Sequence, residues 1–237
     1  MTEAEWLACT DPKPMLEFLE GKASDRKLRL FAMACCRRIW DLFKDAIVEQ
    51  AMILLEQRAD ESYDKDQLHN VLVGLQEKAD GLPPSTMAYQ GTIGIILTAA
   101  CTAPGDALFI LGLYSLANAV AWQSDPDAMI VEDDWTSPHD QRWQEVQAGE
   151  RTAQAALLRD IFGNPFRPVA VDPAWLIPTV TFLARMIYEE RSFDQMPDLA
   201  DALEAAGCAN EEILAHCRGP GEHVRGCWVV DLILGKE

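Results

Sequence analysis

The chain has 237 residues, of which 38 are acidic and 20 are basic, so its formal net charge at pH 7 is −18. Apolar residues make up 49% and charged residues 24% of the chain. These values are typical of a folded globular protein and exclude collagen-like, low-complexity and disulfide-dense chains. The acidic balance argues against nucleic-acid binding, because contacts to phosphates need a basic surface.

The first part of the chain predicts a group of helices. Thr2 and Glu5 have the spacing of a capping box, and Asp11 followed by proline is typical of a second helix start. Ser24 caps the clearest helix, over about residues 25–44, in which apolar residues recur on one face. Apolar residues at helical spacing then continue as far as Leu75.

The segment 86–123 contains a single charged residue, Asp106, and Pro104-Gly105 divides it into two apolar stretches. Each stretch has about 15 residues, fewer than the ~20 that a helix needs to cross a bilayer. No lysine or arginine flanks them to orient a membrane span. We therefore predict a helical hairpin packed in the core, with membrane association through 86–123 as the alternative.

An acidic stretch divides the chain into two regions. Residues 124–140 hold six acidic residues, two prolines and no lysine or arginine, and we predict an exposed linker there. The N-terminal helical region is then 1–123 and the C-terminal helical region 141–237. In the latter, helical spacing predicts a long helix over about 141–161, ended by Gly163, and four shorter helices over about 178–190, 197–206, 211–217 and 225–234.

Sustained two-residue alternation is absent from the sequence, so the predicted fold class is all-α. We expect an irregular multi-helix bundle, with two helical lobes as a variant of it. The weak candidates for strands are Val169–Val171 and Trp228–Leu234.

Several long motifs carry a family resemblance. They are LRDIFGNPFRP at 158–168, MPDLADALE at 196–204 and HVRGCWVVD at 223–231, together with EAEWL at 3–7 and LRLFA at 28–32. The chain resembles a large paralogous family of uncharacterised planctomycete proteins over roughly its first 45 and last 80 residues. The resemblance implies a bacterial cytoplasmic protein and carries no activity, so it assigns no catalytic residue.

The seven cysteines favour reduced thiols. Their number is odd, Cys35 and Cys36 are adjacent, and the N-terminus lacks the apolar run of a signal peptide. We expect a cytoplasmic location, where thiols stay reduced.

Cysteine and histidine residues cluster near the C-terminus and are candidates for a zinc site. Thiolate and imidazole are the ligands that zinc prefers, and Cys208, Cys217, His223 and Cys227 are four such residues on the last helices. Their spacings match no standard zinc finger, and packing of these thiols in the core is the alternative. Cys217 or Cys227 beside His223 would also allow a cysteine nucleophile, but no known nucleophile motif surrounds them.

Two basic islands interrupt the acidic sequence and are candidate binding sites for an anion or an acidic partner. Arg26, Arg37 and Arg38 lie in the first island, and Arg218 and Arg225 in the second. The alternative is that the first island is the solvated face of a helix, paired with carboxylates of the same chain.

No phosphate-binding loop, zinc-protease motif or other catalytic constellation is found. The sequence therefore favours a non-catalytic protein-interaction module with an unknown protein partner and no cofactor. The alternatives are a small module stabilised by zinc and a membrane-associated protein, and the sequence does not predict an oligomeric state.

Overall fold

The computed structural model describes residues 1–42, 44–81, 92–97, 116–118, 120–121 and 138–236. These residues form helices and turns with no β-strand among them, which confirms the all-α prediction. The Trp228–Leu234 run, one of the two weak strand candidates, is helical. The predicted hairpin 86–123 and acidic linker 124–140 lie mostly outside the described residues, so both stay predictions.

In the described part of the chain, ten helices have defined bounds and are numbered in chain order. In the first half they are α1 (Glu3–Ala8), α2 (Pro12–Leu19), α3 (Asp25–Arg38), α4 (Ala46–Ala59) and α5 (Lys65–Asp80). In the second half they are α6 (Pro138–Phe162), α7 (Pro178–Glu190), α8 (Met196–Ala205), α9 (Glu211–Arg218) and α10 (Trp228–Leu234). Short 3-10 turns lie at Trp40–Leu42, Pro173–Trp175 and Phe193–Gln195.

Side-chain caps begin several helices, at Ser24 as predicted and at Asn210, which directly precedes the helix predicted over about 211–217. The Ser24 Oγ accepts the backbone N–H of Lys27 at 3.3 Å, and the Asn210 side chain accepts that of Ile213 at 3.1 Å. Such a cap satisfies a backbone N–H that has no partner within the helix. Thr2 and Glu5 form both hydrogen bonds of the predicted capping box.

The helix predicted over 25–44 ends earlier than expected, at Arg38. A 3-10 turn follows, and Lys44 has a φ of 41°, a left-handed conformation that a helix does not continue through. Apolar spacing continues past this point, which is why the pattern alone did not show the break.

Contacts within the chain define two compact units. Unit 1 contains Met1 and Ala8–Ala155, and unit 2 contains Thr2–Leu7 and Ala156–Glu237. In unit 1, α3 packs against α4 and α4 against α5. In unit 2, α7 packs against α8 and α10, while α9 packs against α8 and α10.

The core of unit 2 contains the C-terminal thiols. Cys208, Cys217 and Cys227 are buried among aliphatic side chains from α7 to α10, such as Ile187 and Leu199. Burying these helix faces is the main source of stability for so small a unit. The same unit brings the ends of α6 and α9 and the start of α10 together.

Candidate metal centre

Four side chains from separate parts of unit 2 meet at one place. Asp160 comes from the last turn of α6, His216 from the last turn of α9, His223 from the loop after α9, and Cys227 from the residue that precedes α10. One ligand atom from each of them lies within 4.8 Å of the other three. Among the residues that the structure describes, this is the group that could hold a metal ion.

The donor atoms of this group lie 2.6–3.9 Å apart in four pairs, a range that brackets the spacing of a tetrahedral coordination shell, and the two shortest pairs are at hydrogen-bond distance. The Asp160 Oδ1 lies 3.2 Å from the His216 Nε2 and 2.6 Å from the His223 Nδ1. The Cys227 Sγ lies 3.1 Å from the His216 Nε2 and 3.9 Å from the His223 Nδ1. Around a tetrahedral zinc ion, nitrogen and oxygen ligands are about 3.3 Å apart and nitrogen and sulfur about 3.6 Å apart, from the usual bond lengths.

The Asp160 carboxylate is buried and holds the group together. Its Oδ2 accepts the backbone N–H of Val224 at 3.0 Å, which ties the loop between α9 and α10 to the end of α6. Burial raises the pKa of Asp160, but the hydrogen bonds and charges of His216 and His223 outweigh burial, so the pKa lies below its ordinary value. The carboxylate is therefore ionised at neutral pH, as a metal ligand must be.

The Cys227 thiol is unsuited to act as a nucleophile. Burial, followed by the negative charge of Asp160, raises its pKa well above the ordinary value. An activated cysteine needs the opposite: a lowered pKa and some exposure. A bound metal ion would supply the positive charge that a thiolate needs at this position.

The way the imidazoles face the group also differs from a catalytic triad. In a triad, the two nitrogens of one imidazole take different partners, the nucleophile on one side and the carboxylate on the other. Here the His216 Nε2 contacts both the Asp160 Oδ1 and the Cys227 Sγ. The His223 Nδ1 likewise faces both atoms, while its Nε2 is buried with no hydrogen-bond partner among the described residues. Nitrogens that converge on one point are typical of metal coordination.

The structural group and the zinc set predicted from the sequence share His223 and Cys227. Cys208 and Cys217 are buried in the core of unit 2 and are not members of the group. Burial, followed by the negative charge of Asp160, raises the pKa of Cys217 to about 12, so this thiol stays protonated at neutral pH. Asp160 and His216 complete the group instead.

The sequence contained only partial evidence for Asp160 and His216, the two members of the group that were not predicted. His216 belongs to the Cys/His cluster in the sequence, but residue type alone does not choose between it and the adjacent Cys217. Asp160 lies more than fifty positions before His216, and a carboxylate in an amphipathic helix is an ordinary feature. The visible clue is that Asp160 flanks the apolar face formed by Leu157 and Ile161.

The arginines of the first basic island bind carboxylates of unit 1. Arg37 forms two hydrogen bonds with Glu56, at 2.8 and 3.1 Å, and the Arg38 Nη2 lies 3.1 Å from Glu150. The Arg26 Nε lies 3.3 Å from the Asp60 Oδ1. These three candidates for anion binding are therefore engaged within the chain.

The second island is arranged differently. Arg218 forms exposed ion pairs with Asp201 and Glu204, whose hydrogen bonds raise the pKa of its guanidinium. The Arg225 guanidinium lies 4.5 Å from the centre of the Tyr188 ring, a cation–π contact. Neither arginine needs an external anion for these contacts.

The described helices include none that is both long and apolar enough to cross a membrane. A scan of protein-family models finds no match to the chain. Searches of curated proteins and of solved structures also find none.

Proposed function

We propose that unit 2 is a zinc-stabilised helical module in which Asp160, His216, His223 and Cys227 bind one Zn²⁺ ion. The observation that carries the proposal is the convergence of four donor atoms of the right types within 4.8 Å. One thiolate, two imidazoles and one carboxylate suit the borderline-soft zinc ion better than Mg²⁺ or Ca²⁺, which prefer oxygen ligands.

Such an ion would have a structural role. Four protein ligands fill a tetrahedral shell and leave no open position for water or substrate. Three of the four side chains are almost fully buried, with the His216 side chain 19% exposed. The ion would link α6, α9, the following loop and the start of α10, which are otherwise held by a small core.

A comparison of variants tests the proposal. Full-length protein is purified from medium with and without added zinc, and its metal content is measured by elemental analysis. We expect about one equivalent of zinc in the wild type and less than a tenth in Asp160→Asn and His216→Gln, since each loses one of four ligands. Cys217→Ala is the matched control, because it removes a buried thiol outside the group, and we expect it to retain zinc.

Titration with Co²⁺ gives a second readout. A thiolate bound to tetrahedral Co²⁺ has a charge-transfer absorption band, which we expect in the wild type and in Cys217→Ala and not in Cys227→Ala. Circular dichroism shows that each variant is folded. Wild-type protein with no zinc after supplementation, or loss of zinc from Cys217→Ala with retention in His216→Gln, would overturn the proposal.

The interaction role, the cytoplasmic location and the planctomycete resemblance stay predictions from the sequence. A zinc-stabilised module is compatible with a non-catalytic interaction protein, because structural zinc sites commonly support small binding modules. The partner would be sought by affinity capture with the zinc-loaded chain.

A further inference from the structure

The N-terminal helix packs onto the segment that carries Asp160. The Trp6 side chain is fully buried, and its indole Nε1 donates a hydrogen bond of 3.0 Å to the carbonyl oxygen of Gly163. The Arg159 Nη1 donates in turn to the carbonyl oxygen of Trp6 at 3.2 Å. Arg159 directly precedes Asp160 and Gly163 directly follows the end of α6, so Trp6 contacts the chain both before and after the proposed ligand.

A second set of contacts ties the start of α1 to the following loop. The Glu3 carboxylate accepts a hydrogen bond of 2.7 Å from the Asn164 side chain and lies 2.6 Å from the Arg167 Nε. Glu3, Trp6, Asn164 and Arg167 all belong to unit 2, although about 160 positions separate the two segments in the chain.

Gly163 also connects α1 with Trp228, the residue that follows the proposed ligand Cys227. Its φ of +63° is left-handed, and a Cβ there would lie 3.1–3.4 Å from three atoms of the Trp228 ring. Trp228 directly follows the proposed ligand Cys227, and its ring centre lies 5.2 Å from that of His216. Gly163, which accepts the Trp6 hydrogen bond, therefore packs against Trp228, and Trp228 packs against the proposed ligand His216.

We infer that Trp6 is a positioning residue for the metal site, and that docking of α1 and binding of the metal ion strengthen each other. The inference rests on the proposed zinc site. Docking of α1 fixes the end of α6, and with it the position of Asp160. Binding of the ion fixes Asp160 and Cys227, and with them the surface on which Trp6 packs. Coupling of this kind is reciprocal, so each event must favour the other by the same factor.

The first test measures zinc affinity of the full-length chain by competition with a chelator. Trp6→Phe keeps an aromatic ring in the buried pocket but removes the N–H donor to Gly163. We expect zinc binding about fivefold weaker than in the wild type, the effect of one buried hydrogen bond. Leu7→Ala is the control on the same helix, since Leu7 is 54% exposed, and we expect its zinc affinity to stay within twofold.

The second test needs no variant. Hydrogen exchange of the Trp6 backbone amide, which donates to the Thr2 carbonyl, reports on α1. We expect zinc to slow this exchange at least fivefold in the wild type and to leave the Leu55 amide of unit 1 unchanged. If Trp6 had a purely structural role, its replacement would lower the stability of the protein, but exchange in α1 of the wild type would not depend on zinc.

The outcomes separate this inference from the proposed function. If the wild type binds no zinc, the metal site fails and the inference fails with it. If the wild type binds zinc, but exchange in α1 is independent of zinc or Trp6→Phe binds zinc within twofold of the wild type, the coupling is overturned and the metal site stands.

Discussion

At the scale of single residues, buried charges in unit 1 are held by specific partners. Glu56 is 2% exposed and receives two hydrogen bonds from the Arg37 guanidinium. A bidentate pair of this kind is among the stronger charge-assisted contacts in proteins. It gives a buried carboxylate two hydrogen-bond donors inside a helical core.

Arg37→Ala should destabilise the folded protein by about 2 kcal/mol, because it removes the bidentate partner of a buried carboxylate; the loss is smaller than the ~3–5 kcal/mol of a fully buried pair, since the Arg37 side chain is 32% exposed. Lys13→Ala is the control, since Lys13 and Glu17 are an exposed pair 4.0 Å apart, and its effect should stay below about 0.5 kcal/mol. Urea unfolding measures both variants. An Arg37→Ala variant as stable as Lys13→Ala would show that this pair contributes no stability.

Gly163 is a second residue whose identity the structure explains. Gly163→Ala should lower the free energy of unfolding by about 3 kcal/mol. The left-handed backbone disfavours any residue with a Cβ, and the new methyl group would also lie too close to the Trp228 ring. Gly235→Ala has nearly the same φ, +64°, but its new methyl group would have no neighbouring atom within 4 Å, so only backbone strain of about 1 kcal/mol is expected. Equal losses in the two variants, measured by urea unfolding, would contradict the role of Trp228.

At the scale of secondary-structure elements, α9 is short and carries one proposed ligand. It has eight residues and begins at a single side-chain cap, the Asn210 bond to Ile213. Isolated helices of this length are not stable in water, so the cap and the packing against α8 and α10 must hold it in place.

Asn210→Ala should lower the free energy of unfolding by about 1 kcal/mol, because the N–H of Ile213 loses its acceptor. Asn210→Ser retains an acceptor oxygen at the cap, so it should lower the free energy of unfolding by only about 0.3 kcal/mol. Urea unfolding followed by circular dichroism distinguishes them. A serine variant as unstable as the alanine variant would show that the cap is not the source of the effect.

Helix starts were predictable from the sequence because they depend on residues three positions apart. Ser24, Asn210 and the Thr2–Glu5 pair each act on a backbone group of the same segment. The metal group was only partly predictable, because its members come from α6, α9, a loop and the residue before α10. Residue type alone pointed to His223 and Cys227, but only tertiary packing selects Asp160 and His216 over Cys208 and Cys217.

At the scale of the whole molecule, the proposed ion belongs to one unit only. All four ligands and the docked Thr2–Leu7 segment lie in unit 2, while the helices α3 to α5 lie in unit 1. Metal binding stabilises the state that contains the formed site, by an amount set by the ratio of metal concentration to dissociation constant.

Removing the metal with a chelator should therefore affect the two units differently. With zinc at about a thousand times its dissociation constant, the stabilisation is about 4 kcal/mol, so slow amides of α7 to α10 should exchange about a thousandfold faster after chelation. Amides of α3 to α5 should keep their protection. Hydrogen exchange with mass spectrometry measures both, and equal changes in both units would contradict a site confined to unit 2.

The most direct test of the central claim is X-ray absorption spectroscopy of the full-length protein loaded with one equivalent of zinc. The four ligands predict one sulfur at about 2.3 Å and three nitrogen or oxygen atoms at about 2.0–2.1 Å from the ion. A shell with two or three sulfurs would show that Cys208 or Cys217 binds the metal, and a six-coordinate oxygen shell would show that zinc binds elsewhere. Either result would contradict a site formed by Asp160, His216, His223 and Cys227.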